Sequence, residues 1–107
     1  MAKPVIVMEQ AHQDLLENCN WWASHRSPQE AERWYDGFSR AIRALAIEAT
    51  LHAVAGENDD FPFEIRQLNY GLGKRYTHRA IYTVRPDMIL VLRVQHLAQD
   101  ELTIDDI

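Results

Sequence analysis

The sequence predicts an α+β fold: an N-terminal strand and a two-helix antiparallel hairpin packed on one face of an antiparallel β-sheet. Three observations predict it. Apolar residues recur at helical spacing through most of the first half, Ser27-Pro28-Gln29-Glu30 is a helix-starting capping box, and residues 63–96 hold three apolar-rich runs separated by short turn sequences. Helices followed by a run of strands belong to an α+β fold and not to alternating βαβ units. A chain of 107 residues has room for one domain, taken as 1–107.

Each element has its own signal. Pro4-Val5-Ile6-Val7-Met8 reads as a short strand, with Pro4 at its start, where the missing N–H costs least. From about Glu9 to Ala23 the residues Ala11, Leu15, Cys19, Trp22 and Ala23 form a helical stripe, and Glu9, Asp14 and Glu17 are expected to face outward. At the capping box, Ser27 accepts from the Glu30 backbone, Glu30 reaches back to the cap, and Pro28 occupies the first helical position. Ala31, Trp34, Tyr35, Phe38, Ala41, Ile42, Leu45 and Ala49 then mark one apolar face over about five turns. Gly56-Glu57-Asn58-Asp59-Asp60 is loop by composition. Strands are predicted at about Phe63 to Tyr70, Lys74 to Arg85 and Met88 to His96, divided by Gly71-Leu72-Gly73 and by a Pro86-Asp87 turn.

Composition narrows the class. An apolar fraction of 47% and a charged fraction of 25% are those of a folded globular domain. The run Met88 to Leu92 is far shorter than the ~18 residues of a membrane span, and the apolar run within residues 1–12 is too short for a secretory signal. No membrane partner and a cytoplasmic location are expected. Cys19 is the single cysteine and reads as a small buried thiol.

The net charge of -5 is unevenly spread. Residues 64–99 carry six bases (Arg66, Lys74, Arg75, Arg79, Arg85, Arg93) against Glu64 and Asp87, whereas residues 100–107 carry four acids and no base. An acidic chain thus holds one basic segment, which is where phosphate or a partner would be sought.

Strand alternation divides that segment into two faces. Tyr76, His78, Ala80, Tyr82 and Val84 read as core, and Arg75, Thr77, Arg79, Ile81 and Thr83 as an exposed face centred on Arg79. With Pro86 and Asp87 as a two-residue loop, Thr77 lies opposite His96 and Arg79 opposite Val94, so Arg79 and His96 become diagonal neighbours on one face. A register one residue longer puts His96 on the other face and Arg93 beside Arg79. A guanidinium beside an imidazole suits phosphodiester chemistry, the first holding phosphate and the second moving a proton. Lys74 and Arg75 would widen the phosphate-binding surface; the plain alternative is a solvated sheet face.

Other constellations are missing. His12, His25 and His52 form no metal-ligand spacing, so no metal is expected, and Gly71-Leu72-Gly73 lacks the helix and third glycine of a dinucleotide loop. Nothing points to a cofactor. Trp21, Trp22 and Trp34 read as packing between helices, or one of them as an exposed partner anchor.

Taken in order, several stretches resemble the RelE/ParE superfamily of bacterial toxins from type II toxin-antitoxin systems, also known as plasmid stabilisation proteins. These are Ala11-His12-Gln13-Asp14-Leu15 after the first strand, Ala31-Glu32-Arg33-Trp34, Ile65-Arg66-Gln67-Leu68-Asn69-Tyr70-Gly71, His78-Arg79-Ala80-Ile81-Tyr82, and the closing run from Val91 to Asp100. The resemblance implies a growth-inhibiting toxin with two helices on an antiparallel sheet, silenced by a cognate antitoxin in a toxin-antitoxin hetero-oligomer. It implies two targets: RelE-like members cut mRNA in the ribosome without a metal, and ParE-like members poison DNA gyrase.

By position, Arg79 matches the arginine of the family's aromatic-Arg-x-x-Tyr strand, with His78 replacing the aromatic, and Tyr82 matches the tyrosine. If the chain is a nuclease, the resemblance implies Arg79 and His96 as catalytic residues. Lys74, Arg75, His78 and Arg93 are expected to be the target- or phosphate-binding set under either target. The chain departs from the cleavage branch where two lysines are usual, since it has Tyr70 and Leu72 there, and its terminal segment is acidic. Gyrase inhibition is therefore placed ahead of ribosome-dependent mRNA cleavage, with an inactive toxin-like binding domain third.

Overall fold

A computed structural model describes residues 2–99 and 101–107. Asp100, the last residue of the closing run quoted above, lies outside the described residues. Strand β1 (Val5–Val7) leads into helix α1 (Glu9–His25), followed by α2 (Pro28–Arg43), a short helix α3 (Leu45–Glu48), and the strands β2 (Arg66–Tyr70), β3 (His78–Val84) and β4 (Ile89–His96). The sheet order is β1-β4-β3-β2. β2, β3 and β4 form the expected antiparallel meander, and β1 joins the free side of β4 in parallel, which makes the sheet mixed.

The helix hairpin forms as its caps dictate. Ser27 Oγ accepts from the Glu30 backbone N–H at 3.0 Å, and Pro28 opens α2. The Glu30 carboxylate, expected to close back on the cap, instead accepts from Arg26 Nε at 3.3 Å. α2 buries Ala31, Trp34, Phe38 and Ile42 on one face, and the last three form one core with Leu15 of α1 and Ala80, Tyr82, Val91 and Val94 of the sheet. Each large apolar side chain buried here contributes about 1.5–3 kcal/mol. Cys19 is half-buried on this side, and burial together with the nearby Asp36 raises its pKa, so it remains a thiol at neutral pH.

The opposite face of the sheet was expected to be solvated, and it is not. Ile81 and Leu92 form a second apolar cluster with Ala55, Phe61, Ile65 and Leu102. The loop before β2 closes over that face because it is pinned to the outer edge of β2: the Ala55 N–H donates to the Ile65 carbonyl and the Gln67 N–H to the Ala53 carbonyl. Leu102 brings the C-terminal segment down beside it. Two apolar layers therefore sandwich the sheet.

Gly71 positions the loop between β2 and β3. A Cβ added there would lie 1.9 Å from the Arg75 carbonyl oxygen, a backbone atom that can only yield by moving the turn. Gly71→Ala is expected to displace residues 71–76 and to lower stability by about 1–3 kcal/mol, read as a fall in the urea midpoint. An unchanged midpoint would mean that the turn is not held in this close approach.

Candidate functional site

The β3–β4 hairpin closes through Pro86 and Asp87, with the Arg85 N–H donating to the Met88 carbonyl at 2.8 Å. Near this turn the register is the expected one, Val84 opposite Ile89 and Tyr82 opposite Val91. A β-bulge then shifts it by one residue. Ile81 pairs with Arg93, Arg79 with Gln95, and His78 with His96. Arg79 and His96 therefore lie on opposite faces, and the expected Arg79-His96 patch is not formed.

Arg79 was expected to be exposed; it is 8% exposed and sits under the loop and the C-terminal segment. Its Nη1 and Nη2 donate to Glu57 Oε1 and Oε2 at 2.7 and 2.6 Å. Its Nε donates to Gln95 Oε1 at 2.9 Å, Nη1 also donates to Gln67 Oε1 at 3.0 Å, and Nη2 also donates to Gln95 Oε1. An arginine has five N–H donors, and these five bonds use all of them. Glu57, itself 2% exposed, also accepts from the Leu102 N–H at 2.8 Å. Hydrogen bonds from Arg79, outweighing the cost of burial, hold the Glu57 carboxyl down at about 2.

Arg93 is engaged as well. Its Nε and Nη2 donate to Asp14 Oδ2 and Oδ1 at 2.7 and 3.1 Å, and its Nη1 donates to the Asp106 carbonyl at 2.9 Å. Asp14, expected on the outer face of α1, is buried because the same carboxylate accepts from the Val94 N–H at 3.0 Å. β1 pairs with β4 only as far as Val91, so Asp14 takes over an edge N–H that has no strand to pair with. A cavity of about 460 Å³ beside Arg93 is lined also by Glu101 and Asp106, an acidic setting that disfavours phosphate.

His78 is 4% exposed and packs edge-on against Trp34, with ring centroids 4.9 Å apart. Asn18 Nδ2 donates to the Asp14 carbonyl at 2.8 Å, which leaves Asn18 Oδ1 as the acceptor for His78 Nε2–H at 3.0 Å. Thr77 Oγ1 then donates to His78 Nδ1 at 2.7 Å. Both ring nitrogens are committed in the neutral form. Burial, with a smaller contribution from His96, pushes the His78 pKa down to about 4.

A cavity of about 490 Å³ opens where the end of α1 meets the ends of β3 and β4. Trp21 and Trp22 line it from α1, with His78 on its buried side and His96 and Gln99 on its exposed side. The His96 and His78 rings are 5.0 Å apart. The Ala98 N–H donates to His96 Nδ1 at 3.0 Å, so the neutral His96 ring carries its proton on Nε2. Gln99 Oε1 accepts from the His96 N–H at 2.7 Å, which turns its amide nitrogen away as a donor. Trp21 is 51% exposed, and the Trp22 indole N–H is buried without a hydrogen-bond partner among the described residues.

Lys74 and Arg75 are exposed in the turn that leads to Thr77. Of the residues expected to form the site, only His78 and His96 are brought together, and Arg79 and Arg93 are drawn into separate ion pairs. Glu57, Asn18 and Gln99 were missed. Glu57 lay in a stretch read only as loop, and the adjacent Trp21 and Trp22 carried the one usable signal, since a helix cannot bury both on one narrow stripe.

No family model matches the chain, and no curated protein matches it either. Among solved structures, a chain described as "Chromosomal ParDE TA system from P. aeruginosa" superposes with a TM-score of 0.70 at 18% identity, covering 89% of this chain and 96% of that one. The two chains therefore share a fold, here two main helices packed on a four-stranded sheet.

Proposed function

We propose that this chain is the toxin of a type II toxin-antitoxin system and that it acts as ParE-like members do, by binding and inhibiting DNA gyrase without cleaving RNA. The observation that carries the choice is the saturation of Arg79. A guanidinium whose five donors are spent on Glu57, Gln95 and Gln67 has none left for a scissile phosphate. His96 lies on the other face, and the cavity beside Arg93 is acidic. The match to a chain of a ParDE system supports the same branch. The antitoxin would present an acidic or amphipathic segment to the bases of residues 64–99 that stay exposed, Lys74, Arg75 and Arg85.

Induction of this chain in bacteria without an antitoxin is expected to stop growth, with DNA synthesis falling before protein synthesis in pulse-labelled cells. The purified chain is expected to inhibit supercoiling by gyrase. Protein synthesis falling first would replace this reading with ribosome-dependent mRNA cleavage, and harmless expression would point to an inactive toxin-like domain.

A further inference from the structure

We infer that the cavity between the end of α1 and the ends of β3 and β4 is a nucleobase-binding site, with Trp21 as the stacking surface and His96 and Gln99 as donors to the base edge. The site stands apart from the choice of toxin target, since it rests on its own geometry. Its volume of about 490 Å³ is that of a small-ligand cleft, and its walls are mainly apolar. His25 stacks on Trp21 at 4.6 Å with the rings 11° from parallel, which fixes the indole plane while leaving the ring 51% exposed. Such a half-covered, held indole suits an aromatic ring better than a flexible chain.

The polar groups narrow the class further. His96 Nε2–H and the Gln99 amide are both donors, with their other atoms tied to the Ala98 and His96 backbone. A phenyl or aliphatic group would fill the space and leave these donors unpaired, and a carboxylate would satisfy them and waste the indole walls. A planar heterocycle with ring nitrogen or carbonyl acceptors meets both demands.

The base could belong to a free nucleotide or to single-stranded nucleic acid. The test is calorimetric titration of the intact chain with adenosine monophosphate, with a short adenylate RNA, and with phenol as a ring that lacks the acceptor edge. Saturable binding of the nucleotide or RNA is expected, weakened about tenfold or more by Trp21→Ala and by His96→Ala. Both side chains are exposed, so both variants should keep the parent's circular dichroism; Gln99→Ala, also exposed, is the reserve if one does not. RNA binding much tighter than the mononucleotide identifies nucleic acid as the source, and equal affinity identifies a free nucleotide. Absence of saturable binding at millimolar ligand, binding untouched by the variants, or phenol binding as tightly as the nucleotide overturns the proposal.

Discussion

Arg79→Ala is expected to lower the unfolding free energy by about 3–5 kcal/mol, because it leaves a buried carboxylate without its cation. Glu57 is 2% exposed and takes two short bonds from Arg79, so its charge has no access to water once the guanidinium is gone. The same substitution removes the Arg79 donors from the side-chain carbonyl oxygens of Gln67 and Gln95. Replacing Glu57 and Arg79 together by Leu and Met should cost clearly less than the two single changes added, since apolar residues of similar volume remove both charges. Some loss remains, because the Leu102 N–H also donates to Glu57. Urea unfolding of the parent, both single variants and the double variant measures this; an Arg79→Ala variant within about 0.5 kcal/mol of the parent would refute the burial argument. Non-toxicity of Arg79→Ala would then report the folded fraction and carry no information about catalysis.

The ion pair also sets a limit in acid. Glu57 has its pKa lowered from the ordinary 4.5 to about 2, so its contribution is complete above 4.5 and is lost as the pH falls toward 2. Glu57→Gln is expected to abolish that portion of the acid dependence while lowering stability at pH 7.

What was legible in the sequence was local. Helical spacing, the Ser27 cap and the Pro86-Asp87 turn each act over a few residues, and each forms where it was expected. The register of the far end of the hairpin was not legible, since nothing in Val91-Leu92-Arg93-Val94 announces an extra residue. Just past the shift, Asp14, 79 residues before Arg93, holds both that guanidinium and the Val94 N–H, a contact no local pattern announces. The burial of Arg79 was missed for a similar reason. Alternation gives the faces of a strand but not what covers them, and the covering residues Phe61, Ile65 and Leu102 come from segments without periodicity. Ile81, an apolar residue in the middle of a supposedly solvated face, was the available sign.

His78 should make the fold sensitive to mild acid in a range distinct from that of Glu57. Its neutral ring is buried between Asn18 and Thr77, and its pKa is lowered from 6.5 to about 4. For a histidine depressed in the folded state, the unfolded chain takes up the proton first. Stability is therefore intact above pH 6.5, falls as the pH drops from 6.5 to 4, and loses nothing more to this group below 4. A depression of that size corresponds to about 3 kcal/mol, a large fraction of a small domain's stability. His78→Gln keeps a polar side chain but cannot titrate, so its stability should start lower at pH 7.5 and change much less between pH 6.5 and 4. Parallel losses in parent and variant over that interval would remove His78 as the cause, and an imidazole resonance of His78 that titrates near 6.5 would remove burial as its origin. The same neutrality bears on function. A ring that stays uncharged to about pH 4, with both nitrogens bonded, supplies no cation to a phosphate and no free nitrogen to a proton transfer. His78 therefore shapes the cavity wall, and the exposed polar side chains lining it are those of His96 and Gln99.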